Sequence, residues 1–181
     1  MHKVKKYIAE DLKFSNQTIK EMKINSKKFY NKIKERRSIR EFSKDKIDIN
    51  IIKNAILSAG SAPSGANLQP WHFVVIKNKN VKKKIRIEAE KEEENFYKYK
   101  APKEWLDALT PLGTDENKKF IENAPYLIAI FEKKFSVSKN KKIKNYYVKE
   151  SVGIATGILI TCLHFFWLSN VNTHAKPNDI S

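Results

Sequence analysis

The chain has 181 residues, a formal net charge of +16 and a sequence pI near 9.8. This length fits one domain able to bury roughly two-thirds of its unfolded surface, and 41% hydrophobic against 31% charged residues excludes a disordered composition. The lysines are spread over nearly every segment, without a zinc-ligand set, an aromatic RNA-binding strand or a Gly-x-x-Gly clamp, so nucleic acid is not expected as a partner.

In chain order, residues 1–27 read as a polar, thinly periodic arm that wraps or frays. Ser26 to Arg37 has helical character, with Phe29, Tyr30 and Ile33 on one side and lysines on the other. Directly after it, three of the four arginines fall within five residues, Arg36-Arg37-Ser38-Ile39-Arg40, while the other 32 basic residues are lysines. A composition that drives basic positions toward Lys yet keeps Arg here points to forked, two-point recognition of an anion such as a phosphate. The alternative is a solvated helix end with Arg in its last turn.

Asp48 is placed to cap a helix whose apolar residues Ile51, Ile52, Ala55, Ile56 and Ala59 recur at three and four, with Gly60 as its stop. Ser61 to Pro70 holds two prolines, a glycine and an asparagine, so an irregular turn is expected there. Trp71 to Lys77 reads as a strand buried on both faces because Phe73-Val74-Val75-Ile76 is continuously apolar. Val81 to Lys98 is a long charged helix. Shorter helices follow at Glu104–Leu109 and Glu116–Glu122, separated by Pro111 and Gly113. Tyr126 to Phe131 is a second buried strand, Lys133 to Lys144 a loop, and Tyr146 to Phe165 a core helix. The alternation makes the fold class α+β.

Val152 to Leu168 carries no formal charge over 17 residues, but Ser151, Gly153, Thr156, Gly157, Thr161 and His164 dilute or flank it. It is read as the buried central helix of a globular core, not as a membrane span. The single cysteine, Cys162, excludes an internal disulfide and a multi-cysteine metal site. No apolar run follows Lys3, Lys5 and Lys6, so no secretory signal is expected and a cytoplasmic location is. His72 is read as a core or dimer-interface residue, Trp71 as core, and Cys162 and His164 as packing residues. No catalytic side chain and no metal ligand is assigned.

At Arg36-Arg37-Ser38-Ile39-Arg40, Ala62-Pro63-Ser64-Gly65-Ala66-Asn67-Leu68-Gln69-Pro70-Trp71 and Ala124-Pro125-Tyr126-Leu127-Ile128 the chain resembles the FMN-dependent nitroreductase family. It is most similar to the branch of iodotyrosine deiodinases, which are halotyrosine dehalogenases. The resemblance runs from about Lys28 to Leu163 and implies a nitroreductase-like mixed sheet flanked by helices over residues 28–168. It further implies FMN as cofactor and a homodimer with the flavin at its interface. A nicotinamide-linked reductant such as NAD(P)H and a halogenated or nitro aromatic substrate complete the expected set of partners.

Residue by residue, the resemblance implies that Arg36, Arg37, Ser38 and Arg40 hold the FMN phosphate and the polar edge of the isoalloxazine. Pro63, Ser64 and Gly65 would run along the flavin, Gly65 allowing close approach of backbone to the ring. Asn67 would contact FMN or the substrate side, with an Asx-turn as its alternative role. The Ala66 amide would donate to a substrate phenolate. Glu93 and Tyr97, four apart on the charged helix, and Lys118 on the next segment would hold the amino-acid end of a halotyrosine. A zwitterion leaving water needs such a set, because unpaired buried charge is costly. Read without the resemblance, the glutamates at 90, 92, 93 and 94 make an ordinary solvated helix face.

The family pattern is expected to continue past the core helix with a further strand, a helix and another phosphate-binding arginine. Here Phe165 to Pro177 departs from it and the sequence stops at Ser181, so residues 169–181 are read as an aberrant tail. A truncated or frame-shifted chain is therefore expected, with Thr173 the nearest counterpart of the hydroxyl placed near the flavin N5. Reductive dehalogenation of halotyrosine-like phenols is the expected activity. Nitroaromatic or quinone reduction, or a truncated fragment without catalysis, are the alternatives.

Overall fold

The computed structural model describes residue 11 and residues 15–43, 45–113, 115–138, 141–166 and 168. The 169–181 tail with Thr173, and most of the arm before residue 15, lie outside the described residues. Two compact units divide between Glu35 and Arg36. The first contributes helix α1, Ile19–Ile33, which starts well before the Ser26 expected from periodicity. Its start is fixed by a capping box: the Thr18 hydroxyl accepts from the Glu21 N–H at 3.3 Å, and the Glu21 carboxylate accepts from the Thr18 N–H at 2.7 Å. Along α1 no residue is buried, and Met22, Phe29 and Tyr30 are all exposed.

The second unit is built on helices α2 (Ile49–Gly60), α3 (Lys79–Asn95), α4 (Lys103–Leu109), α5 (Lys119–Asn123) and α6 (Val148–Phe165) with strands β1 (Trp71–Ile76), β2 (Leu127–Glu132), β3 (Phe135–Ser138) and β4 (Lys141–Lys144). The α+β class stands. The sheets are two antiparallel pairs, β1 with β2 in the register Trp71↔Glu132 to Ile76↔Leu127, and β3 with β4. Helix α2 begins where its cap predicts, with the Asp48 carboxylate accepting from the Asn50 N–H at 2.8 Å.

Helix α6 lies against both α2 and the β1–β2 pair. Ala55 and Ala59 of α2 are fully buried against Leu159, their small side chains letting the two helices approach closely. Val152 and Ala155, one turn earlier, meet Ala62 and Trp71. Cutting Leu159 to Ala in such a packed seam costs roughly 2–5 kcal/mol. The burial of α6 is narrower than its composition suggests. Ser151, Val152, Ala155, Leu159 and His164 are buried, while Ile154 and Ile160 are 47% and 45% exposed. By length and composition alone α6 could cross a membrane, at a mean hydropathy of 1.3 over 18 residues.

Two further expectations are corrected. Strand β1 is not buried on both faces: Trp71 is buried, His72 exposed and Phe73–Ile76 half-buried, because α6 covers only one side of the pair. The stretch from Lys133 to Lys144 is a hairpin, not a loop. Phe135 and Val137 alternate with Ser136 and Ser138, a strand period, and the Lys142 ammonium sits 4.1 Å from the Phe135 ring centroid. Buried Asn145 closes the hairpin base, its amide donating to the Lys133 carbonyl at 2.6 Å and its oxygen accepting from the Ser136 hydroxyl at 2.8 Å.

Candidate functional site

The arginine cluster lies at the start of the second unit, in backbone outside any helix or strand. Arg36, Arg37, Ser38 and Arg40 are exposed, and the Arg37 guanidinium donates to the Arg36 carbonyl at 2.9 Å. Arg36 and Arg37 stand on the wall of a cavity of about 520 Å³ whose other walls are mostly apolar, among them Ile39, Phe42, Leu159 and Leu163. Exposed guanidinium groups next to a serine hydroxyl form a donor set suited to phosphate.

The Pro63–Asn67 turn does not line that cavity. It carries unusual backbone for residues with a Cβ: φ is +49° at Ala66, +53° at Asn67 and +46° at Gln69. Left-handed geometry costs an L-residue about 1–2 kcal/mol, and such strain gathers at functional loops. The Ser64 carbonyl accepts from the Asn67 N–H at 3.0 Å and the Ser64 hydroxyl from the Gln69 N–H at 3.0 Å, which hold the turn closed. Ala66 and Asn67 are exposed at its tip.

Gly65 has a reason inside the chain that sequence did not reveal. A Cβ at this position would lie 2.9 Å from Cδ2 and 3.4 Å from Cβ of Tyr147. Tyr147 is itself held at φ +51° ahead of α6. The Gly65→Ala chain is therefore expected to be destabilised by about 1–3 kcal/mol, seen as a lower melting temperature by circular dichroism. Tyr147→Ala in the same chain should recover most of the loss; no recovery would mean that the clash is not with this ring.

Glu93 and Lys118 are brought together. Their side chains pair at 3.2 Å, with Lys118 only 16% and Glu93 38% exposed. The Lys118 ammonium also donates to the Asp115 carbonyl at 2.6 Å. Tyr97 stands beyond the end of α3, inside a π-helical turn at Phe96–Lys100 closed by the Ala101 N–H on the Phe96 carbonyl at 2.9 Å. The i,i+4 rule of an α-helix thus stops short of Tyr97, and π turns are frequent at functional sites. Trp105 of α4 packs edge-on against Phe96, 5.2 Å between ring centroids, and supports this turn.

Side chains overlooked in sequence tie α3 to α5. Lys82 is buried and its ammonium donates to the Glu122 carbonyl at 3.0 Å and to the Ala124 carbonyl. Burial, then the nearby Lys79, lowers its pKa below the usual lysine value. Arg86 holds Glu122 through Nε at 2.7 Å and Glu90 through its terminal nitrogen, and the bond to Glu122 raises its pKa further. Glu90 in turn accepts from the Lys118 N–H at 3.0 Å. The residues at 82, 86, 90 and 93 recur at three and four along one face of α3, which was the available signal.

The described residues thus form an antiparallel α+β scaffold that presents an exposed arginine cluster, a turn with positive φ at Ala66 and Asn67, and a carboxylate–ammonium pair. The nitroreductase family model matches residues 33–167, and the chain belongs to that family. Among its relatives, an iodotyrosine deiodinase of Haliscomenobacter hydrossis is 47% identical over 145 residues, 80% of this chain and 65% of that protein. Iodotyrosine deiodinase 1 of Homo sapiens is 41% identical over 155 residues, 85% of this chain and 54% of that protein. The solved structure of oxidized iodotyrosine deiodinase bound to FMN and 3-iodo-L-tyrosine aligns with a TM-score of 0.63 at 31% identity, covering 76% of this chain and 70% of that one. This chain spans between half and two-thirds of the length of these relatives.

Proposed function

We propose that this chain serves an FMN-dependent oxidoreductase that reductively dehalogenates halotyrosines. The observation that carries the reading is the Glu93–Lys118 pair, a half-buried anion and cation 3.2 Å apart. A zwitterionic amino acid can exchange with that pair, its ammonium taking Glu93 and its carboxylate taking Lys118, with the Tyr97 hydroxyl as a further donor. Neither protein charge is then left bare. A simple nitroarene carries neither an ammonium for Glu93 nor a carboxylate for Lys118.

Exchange of carbon–iodine for carbon–hydrogen consumes two electrons and one proton and releases iodide; FMN, when bound, supplies the electrons. The chain's own residues bind and orient. Arg36, Arg37, Ser38 and Arg40 would hold the phosphate and polar ring edge, with Pro63, Ser64, Gly65 and Asn67 along the ring. The Ala66 N–H would donate to the phenolate oxygen and so favour the ionised phenol.

A homodimer with FMN between the subunits belongs to the same reading. Its support is that the Pro63–Asn67 turn does not line the cavity on whose wall Arg36 and Arg37 stand. An uncovered stripe of α6 with Gly153, Ile154, Gly157 and Ile160 adds to it. A nicotinamide-linked donor and a cytoplasmic location complete the proposal. The test is anaerobic: dithionite-reduced, FMN-loaded protein is mixed with 3-iodo-L-tyrosine or a nitroarene while flavin absorbance and free iodide are followed. Reoxidation by iodotyrosine with one iodide per flavin is expected. Reoxidation by the nitroarene alone would reassign the chain to nitroaromatic or quinone reduction.

A further inference from the structure

Four arginines stand among 36 basic residues, and only Arg86 lies outside the anion-binding cluster. Its partners explain why lysine does not replace it. One guanidinium spans two carboxylates, Nε on Glu122 and a terminal nitrogen on Glu90, at a side-chain exposure of 18%. A single ammonium cannot hold two acids in that fixed fork.

One acid belongs to a weak element, α5, and the other, Glu90 of α3, holds the start of it. Helix α5 has five residues, and a helix this short is not stable by itself. Glu90 accepts the Lys118 N–H just before its first turn, and Glu122 lies in its last. Lys82 adds contacts to the Glu122 and Ala124 carbonyls behind it. Lys118 therefore reaches Glu93 from a backbone position that α3 dictates through Arg86.

We propose that Arg86 is a positioning residue for halotyrosine binding: by clamping Glu90 and Glu122 it fixes the Lys118 backbone and so the spacing of the Glu93–Lys118 pair. This rests on the function proposed above, and its test separates the two. Amide hydrogen exchange at Lys118 needs no cofactor or substrate. In Arg86→Lys, which keeps the charge and the aliphatic stem, and in Arg86→Gln, that amide should exchange at least about tenfold faster, as expected for loss of a charge-assisted bond.

In the FMN-loaded full chain, calorimetric affinity for 3-iodo-L-tyrosine should fall about tenfold in both variants, while affinity for 2-iodophenol, which lacks the zwitterion, stays as in the parent. An unchanged Lys118 amide in Arg86→Lys, or an equal loss for both ligands, overturns the proposal. A parent chain that binds both ligands alike overturns the halotyrosine reading instead, and faster Lys118 exchange in the variants would still uphold the clamp.

Discussion

Arg37→Ala should leave the purified chain colourless at FMN concentrations that saturate the parent. A charge-assisted hydrogen bond contributes roughly 1.5–3 kcal/mol, so losing a two-point grip on phosphate corresponds to about a hundredfold weaker binding. Arg37 is exposed, and replacing it should move the melting temperature little, which separates a binding defect from a folding one. Arg37→Lys keeps the charge but not the fork and should fall between the two, near a tenfold loss by the same scale. Flavin fluorescence quenching on titration gives all three values. Equal FMN affinity in the parent and Arg37→Ala would remove the arginine cluster from the cofactor site.

The second large effect concerns substrate choice. In Lys118→Met the Glu93 carboxylate loses its partner and the substrate carboxylate loses its cation, so 3-iodo-L-tyrosine should bind about a hundredfold more weakly. Affinity for 2-iodophenol should change by less than about twofold, because it makes no use of either charge. Glu93→Gln should weaken the same ligand through its ammonium. Combining the two substitutions should cost less than their sum, since each single change leaves a bare charge that the double change does not. Calorimetry on the three variants reads the coupling. Parallel losses for iodotyrosine and iodophenol would mean that the pair only supports α5.

The parts of the fold legible in sequence were those with local signals at both ends. Helix α2 is bounded by Asp48 and Gly60, and its apolar spacing names the residues that bury, Ile52, Ala55 and Ala59. The turn at Pro63–Asn67 announces itself by composition. Helix α1 starts earlier than apolar periodicity predicts because its signal is the Thr18–Glu21 capping box, set among polar residues with no buried face behind it. The β3–β4 hairpin was hidden by lysines, although the Phe-Ser-Val-Ser alternation carried the strand period.

The candidate site divides along the same line. Glu93 and Lys118 were nominated by resemblance and stand together, but nothing local in the sequence distinguishes Glu93 from its neighbours Glu92 and Glu94. The tie that orders them was out of reach because its partners are distant in sequence: Arg86 meets Glu122 from 36 residues away and Glu90 meets Lys118 from 28. At Gly65 the sequence shows no sign of the ring packed against it within the chain, Tyr147, which is distant in sequence. The π turn at Phe96–Lys100 depends on packing with Trp105, which no i,i+4 pattern encodes.

In the proposed dimer the arginine segment and the Pro-Ser-Gly turn close on one flavin. Titration of the purified chain with FMN, with parallel sedimentation of the mixture, measures it directly. Saturable quenching at one FMN per chain, on a species of two chains, is the predicted result. A chain that remains colourless and single at high FMN would contradict it and identify this polypeptide as a fold without its cofactor.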